Sequence, residues 1–207
     1  MDPLSPTAIR LAFEEAAVDF EVTVEQLRGL DLSAPGTDRW TLGELLAHTT
    51  RGFATIETAL STEPEGPLLE SPGAYFAQAL GVPEVHEAIY QRGVDGLAQL
   101  GPDPVTAALE VADRVRDLVD ETEDDALVGH RAGQLRFSTY LATRVVELVL
   151  HGVDLHRALG RPPVVGHQAL RTTLQVLLDV ADDAAALSIC LALSGRGDST
   201  GLASVLS

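Results

Sequence analysis

The chain has 207 residues, enough for one globular domain with a sizeable core. It carries 14 arginines and no lysine against 31 Asp plus Glu, a formal net charge of −17. Such a balance repels nucleic acid and anionic membrane surfaces and excludes both as partners, although a local arginine or metal can still make a pocket attractive to an anion.

Apolar residues make up 45% of the chain and aromatics only 4%, so Ala, Leu and Val must supply most of the packing, a composition that favours helices. Cys190 is alone, which rules out an intrachain disulfide, and its apolar run Ala186–Leu193 marks it as a small core residue. The N-terminus lacks the basic and apolar segments of a signal peptide, and no apolar stretch approaches the roughly 20 residues that span a bilayer. These features lead to the expectation of a reduced, cytoplasmic protein.

Ser5-Pro6 reads as an N-cap with proline at the first helical position, opening a helix to about Leu30. After a loop through Trp40, Thr41 and Glu44 form a capping box. The helix that follows sets Leu42, Leu45, Leu46, Thr49, Phe53, Ile56 and Leu60 on one narrow face. Ser61–Pro72 is a loop, and shorter helices are expected over Val85–Leu100 and Pro104–Glu121, on either side of Gly101-Pro102-Asp103. Val128–Phe137, with Gly129 and Gly133, reads as either a loop or a small hairpin. A long helix runs from about Ser138 to Leu159, stopped by Gly160 and Pro162-Pro163, and a further helix fits Gly166–Asp183. The pattern predicts an all-α helical bundle over residues 1–165, with residues 166–207 as a short helical extension packed on it.

The Ser138–Leu159 helix is apolar nearly all round and therefore buried, except for one polar strip of Arg144, Glu147, His151 and Asp154. Burying such groups costs several kcal/mol unless they are paired or bind a metal. Glu147 and His151 are spaced i, i+4, so both project from one face and can grip a single divalent ion. Asp154 can orient the His151 ring or join it as a ligand. His48, on the flank of its own helix, is the best candidate for a third ligand from a facing helix. The same strip is equally compatible with a self-satisfied ion-pair network. His86, His130, His156 and His167 fit no convergent pattern and read as surface or loop residues, and Trp40 reads as a packing anchor.

Two blocks of sequence carry a resemblance. Trp40-Thr-Leu-Gly-Glu-Leu-Leu-Ala-His48, and Arg144-Val-Val-Glu147-Leu-Val-Leu-His151-Gly-Val-Asp154-Leu-His-Arg-Ala-Leu-Gly160, resemble the marks of the mycothiol-dependent maleylpyruvate isomerase N-terminal domain, within the DinB-like superfamily. The resemblance spans roughly residues 5–165. It implies a DinB-like four-helix bundle with zinc, or another divalent metal such as nickel, on His48, Glu147 and His151. It further implies a thiol transferase or isomerase in which the metal activates a low-molecular-weight thiol such as mycothiol for attack on an electrophilic, anionic substrate. Asp154 and Arg144 would assist. The family enzyme has a further C-terminal domain that contributes an arginine, and Leu193-Ser-Gly-Arg196 resembles the end of that domain, which makes Arg196 the candidate for that part. The tryptophan usual two places after His-Gly is Val153 here. The competing expectation is a non-catalytic, stress-related metal-binding module, and either would act as a monomer or homodimer.

Overall fold

The structure, a computed structural model, describes residues 1–37, 39–80 and 85–196, without the side chains of Leu80, Val85, His86, Ala88 and Ile89. Four long helices carry the architecture: α1 (Pro6–Glu25), α2 (Leu42–Ser61), α5 (Pro104–Glu121) and α6 (Phe137–Ala158). Between α2 and α5 lie α3 (Pro72–Leu80) and α4 (Val85–Leu100). Between α5 and α6 sits a hairpin of β1 (Leu127–His130) and β2 (Gly133–Arg136), and α7 (His167–Val180) and α8 (Asp183–Leu193) close the described chain. The helix α1 packs on α6 and α5, and α2 packs on the same two, so the four long helices form a closed ring around one core. The protein is therefore all-α, as expected, with one small antiparallel hairpin.

The core follows from the helical periodicity. Phe13 and Phe20 of α1 meet Phe53 of α2 with ring centroids 5.8 and 4.9 Å apart, and all three are buried. Ala12, Ala16 and Ala17 let α1 approach its neighbours closely, which is how a chain poor in aromatics still fills its interior. Among the described residues, no helix is long and apolar enough to cross a membrane.

Local signals set most of the boundaries. The capping box forms as predicted, with the Glu44 amide donating to Thr41 Oγ1 at 3.2 Å and the Thr41 amide donating to Glu44 Oε2 at 2.8 Å. The start of α1 at Pro6 is also as expected, but the helix ends at Glu25 rather than near Leu30. Leu27 and Gln26 donate to carbonyls three residues back, and Gly29 adopts φ +77°, so the last residues wind into tight turns. The Pro72–Leu80 helix has no counterpart in the sequence expectation. Its signal was present: Ser71 Oγ accepts from the Ala74 amide beside Pro72, the same Ser-Pro start as α1.

The segment left open between loop and hairpin is a hairpin, pairing Leu127 with Arg136 and His130 with Gly133. The Gln134 amide donates to Pro67 O and its side chain to Gly66 O, binding the hairpin to the loop before α3.

Toward the C-terminus, α7 packs on α1, α6 and α3 and buries Ala169, Thr172, Thr173 and Val176. The last helix, α8, buries none of its residues. Cys190 is accordingly exposed, which corrects its assignment to the core: an apolar run is buried only where another element covers it, and none covers α8 among the described residues. Leu150 of α6 is likewise 42% exposed, so that helix is not apolar-buried on every face.

Candidate metal centre and its cavity

Helices α2 and α6 run antiparallel, and His48 on the second turn of α2 meets His151 on α6. Their Nε2 atoms lie 3.0 Å apart, and Glu147 Oε2, one turn before His151, lies 3.3 Å from the same His151 Nε2. The two helices pack tightly at Gly52, where an added Cβ would sit 3.0 Å from Leu148 Cδ2 and oblige that leucine to shift.

The donor atoms of His48, Glu147 and His151 all fall within 4.8 Å of one another. Ligands 2.0–2.1 Å from a tetrahedral ion are spaced about 3.3 Å from each other, and two of the three edges here already match that spacing. Two imidazoles and one carboxylate are a donor set that suits a divalent ion such as zinc.

Electrostatics hold the three groups in distinct protonation states. Burial, together with the neighbouring His151 charge, pushes the His48 imidazole down to about 3, so its nitrogen lone pair is free. Burial also pulls on the His151 imidazolium, but the Asp154 and Glu147 carboxylates outweigh it and raise His151 to about 9. For Glu147, burial favours the neutral acid, yet the His151 hydrogen bond and the Arg144 charge prevail and keep it below its usual range. Asp154 Oδ2 stands 3.4 Å from His151 Nδ1, near enough for charge attraction but too poorly aligned for a hydrogen bond. It meets the ring at Nδ1, whereas His48 and Glu147 meet it at Nε2.

Trp40 does more than anchor its loop. Its ring lies 4.3 Å from His48 at a 31° tilt, and its indole N–H donates to Tyr90 O on α4 at 3.2 Å. A Cβ at Gly93 would meet Trp40 Nε1 at 2.8 Å, so α4 comes this near only because that residue is glycine.

The three donors open onto a cavity of about 480 Å³. Arginines from four elements reach it: Arg51 of α2, Arg92 of α4, Arg131 of the hairpin turn and Arg144 of α6. Arg144 is buried, and its guanidinium donates to Tyr75 Oη at 3.0 Å, Thr55 Oγ1 at 3.3 Å and Thr143 Oγ1 at 3.1 Å, with Tyr140 beneath it at 4.9 Å. Among the described residues no carboxylate lies within ion-pair distance of Arg144, whereas His151 lies 3.3 Å from Glu147 and 3.4 Å from Asp154, so the expected ion-pair network forms around His151 and leaves Arg144 out.

Arg196 is exposed at the end of α8, its Nη1 donating to Ser194 O at 3.2 Å, and it does not line the cavity. This corrects its assignment to the site: α8 lies clear of the cavity wall, and the arginines that reach the wall come from α2, α4, α6 and the hairpin.

Two histidines assigned to the surface are elsewhere. His156 is buried between α6 and α1, with Nε2 3.1 Å from Asp19 Oδ1 and 3.3 Å from Thr23 Oγ1. His130 lines the cavity at 4.9 Å from the Tyr75 ring, and its Nδ1 accepts from the Ala132 amide at 3.1 Å. His167 is exposed, and the His86 side chain is outside the described residues. The His130 position has no helical period to announce it, because the hairpin that carries it is short.

Burial, followed by the charges of Arg144 and Arg131, pushes His130 from 6.5 down to about 4. Its contribution to stability is complete above the unfolded value, and is lost as the pH falls from 6.5 toward 4 because the unfolded chain takes up the proton first. The expected loss is on the order of 1–2 kcal/mol, discounted for a half-buried ring. Urea denaturation of wild type and His130→Asn at pH 7.0 and about 4.5 measures it, since the amide oxygen can replace Nδ1 as acceptor without titrating. Wild type should lose more stability than the variant, and a difference independent of pH would refute the assignment.

The chain is thus a helical bundle that carries a two-histidine, one-carboxylate cluster at the wall of an arginine-lined cavity. The family model for the mycothiol maleylpyruvate isomerase N-terminal domain matches residues 3–156, and the chain belongs to that family. Among curated proteins and among solved structures, nothing matches.

Proposed function

We propose that this protein is a zinc-dependent thiol transferase or isomerase, using a low-molecular-weight thiol such as mycothiol to attack an anionic electrophile. The observation that carries this reading is the spacing of the His48, His151 and Glu147 donor atoms at the wall of the cavity. A divalent ion held there would supply the positive charge that keeps a bound thiol deprotonated at neutral pH.

The chain's own residues have separable tasks. His48 and His151 present Nε2 and Glu147 presents Oε2, while the Asp154 carboxylate, 3.4 Å from His151 Nδ1, attracts that edge of the ring and biases its orientation. Trp40 covers one face of His48 and limits its rotation. Arg144, held by Tyr75 and Thr55, offers the charge that receives an anionic group of the electrophile. Thiolate addition to a carbon–carbon double bond, rotation and elimination would give isomerisation, and retention of the adduct would give S-transfer.

The position of Asp154 favours this reading over a non-catalytic metal-binding module, in which a fourth protein ligand would be expected to close the shell. Elemental analysis of untagged protein, with mycothiol consumption against unsaturated acids and other electrophiles, tests it. About one equivalent of metal and a thiol-dependent turnover that both vanish in His48→Ala are expected. Metal without any thiol chemistry would instead establish the binding module.

A further inference from the structure

We infer that the arginine side of the cavity is a subsite for a compact dianion, a phosphate-type group or a pair of neighbouring carboxylates, carried by the electrophilic substrate. The inference rests on the cavity being the substrate site of the reading above, but names a charge and a position that reading does not contain.

The argument begins with segregation of charge. In a chain with 31 acidic residues, four of the 14 arginines line this one cavity, and among the described residues Glu147 is the sole acidic one that lines it. Carboxylates are plentiful elsewhere: Arg10, Arg28, Arg39, Arg114 and Arg116 each have one within ion-pair distance. Arg51, Arg92, Arg131 and Arg144 have none among the described residues. Four different elements deliver these four groups, so no single helix periodicity accounts for their meeting.

Folding gains nothing from this arrangement. Arg51 is pushed below its ordinary range by burial and then by Arg144 and Arg131, and Arg92 by burial and then by Arg51 and Arg131. Arg92 Nε is buried without a hydrogen-bond partner. Guanidiniums keep their protons under such pressure, so the positive charge stays and is available to an anion. Arg144, Arg51 and Arg92 together offer the forked donors that match phosphate or carboxylate oxygens in pairs. A monoanion would leave most of this charge uncompensated, whereas a dianion answers more of it.

Geometry sets where the dianion lies along the substrate. Arg51 follows His48 by three residues on α2, and Arg144 precedes Glu147 by three on α6. Because the two helices run antiparallel, both arginines are displaced to the same side of the donor trio by about one turn, roughly 5 Å. The electrophilic carbon of a substrate seated there would stand two or three bonds from its dianionic group.

Isothermal titration of the protein as purified with inorganic phosphate, malonate and acetate, at constant ionic strength, tests the subsite. Phosphate or malonate is expected to bind at least tenfold tighter than acetate, and whichever binds tighter identifies the kind of dianion. Arg51→Gln and Arg92→Gln, both nearer the surface than Arg144 and checked for helix content, should each weaken that binding at least tenfold. His48→Ala should leave it intact, so the subsite survives even if no metal or thiol chemistry is found. Equal binding of acetate, indifference to the arginine substitutions, or loss of binding in His48→Ala would each overturn the inference, the last by placing the anion at the metal instead.

Discussion

Alanine at position 151 is expected to reduce bound metal from about one equivalent to less than a tenth, and thiol-dependent turnover by about three orders of magnitude. The reason is geometric. His151 Nε2 is the atom shared by both short edges of the donor trio, 3.0 Å to His48 and 3.3 Å to Glu147, so its removal leaves two donors on separate helices. Three orders of magnitude corresponds to about 4 kcal/mol of transition-state stabilisation. Asp154→Asn supplies the contrast. Asp154 touches only the far side of the ring at 3.4 Å, so the variant should keep its metal while binding it some 10–100-fold more weakly. Metal content by elemental analysis and affinity by competition with a chelator separate the two effects. Equal losses in both variants would make Asp154 a ligand rather than an orienting group.

Arg144→Met is expected to leave the protein as stable as wild type or more stable by up to about 2 kcal/mol, while turnover falls about a hundredfold. Arg144 is 6% exposed and has no carboxylate partner, so its desolvation is offset only by hydroxyl hydrogen bonds and the faces of Tyr75 and Tyr140. Replacing a buried charge by an apolar side chain of similar volume is often neutral or stabilising. The unpaired Tyr75 hydroxyl takes back about 1 kcal/mol of that gain. Urea denaturation and steady-state rates measure the two quantities independently. A loss of more than about 2 kcal/mol would show that the guanidinium is a structural brace, and unchanged turnover would remove it from the substrate site.

The site was unevenly legible. Glu147 and His151 share one helix, and their i, i+4 spacing places them on one face whatever the rest of the chain does. His48 was reachable because it sits on the flank of a helix whose start is marked by the Thr41–Glu44 box. Arg51, Arg92 and the hairpin's His130 and Arg131 come together from three separate elements, and none of them has a local pattern that marks it. The resemblance around Arg196 is local in sequence, whereas the fold places that residue outside the cavity. His156 was misread because its partners, Asp19 and Thr23, lie on α1, more than a hundred residues away.

Features that depend on neighbours within a few residues are legible along the chain: the helical class, the cap at Thr41, the helix start at Pro6, the breaks at Gly160 and Pro162, and the Glu147–His151 face. Those outcomes are short-range, governed by backbone propensity and helical period. Tertiary packing sets how closely α2 and α6 approach, and with it whether His48 meets His151. It alone decided that four arginines converge on one cavity in an acidic chain, and that the apolar helix α8 stays uncovered. Those outcomes turn on which faces of distant elements pack together, and a residue's own neighbours in the chain carry no record of the face it will meet.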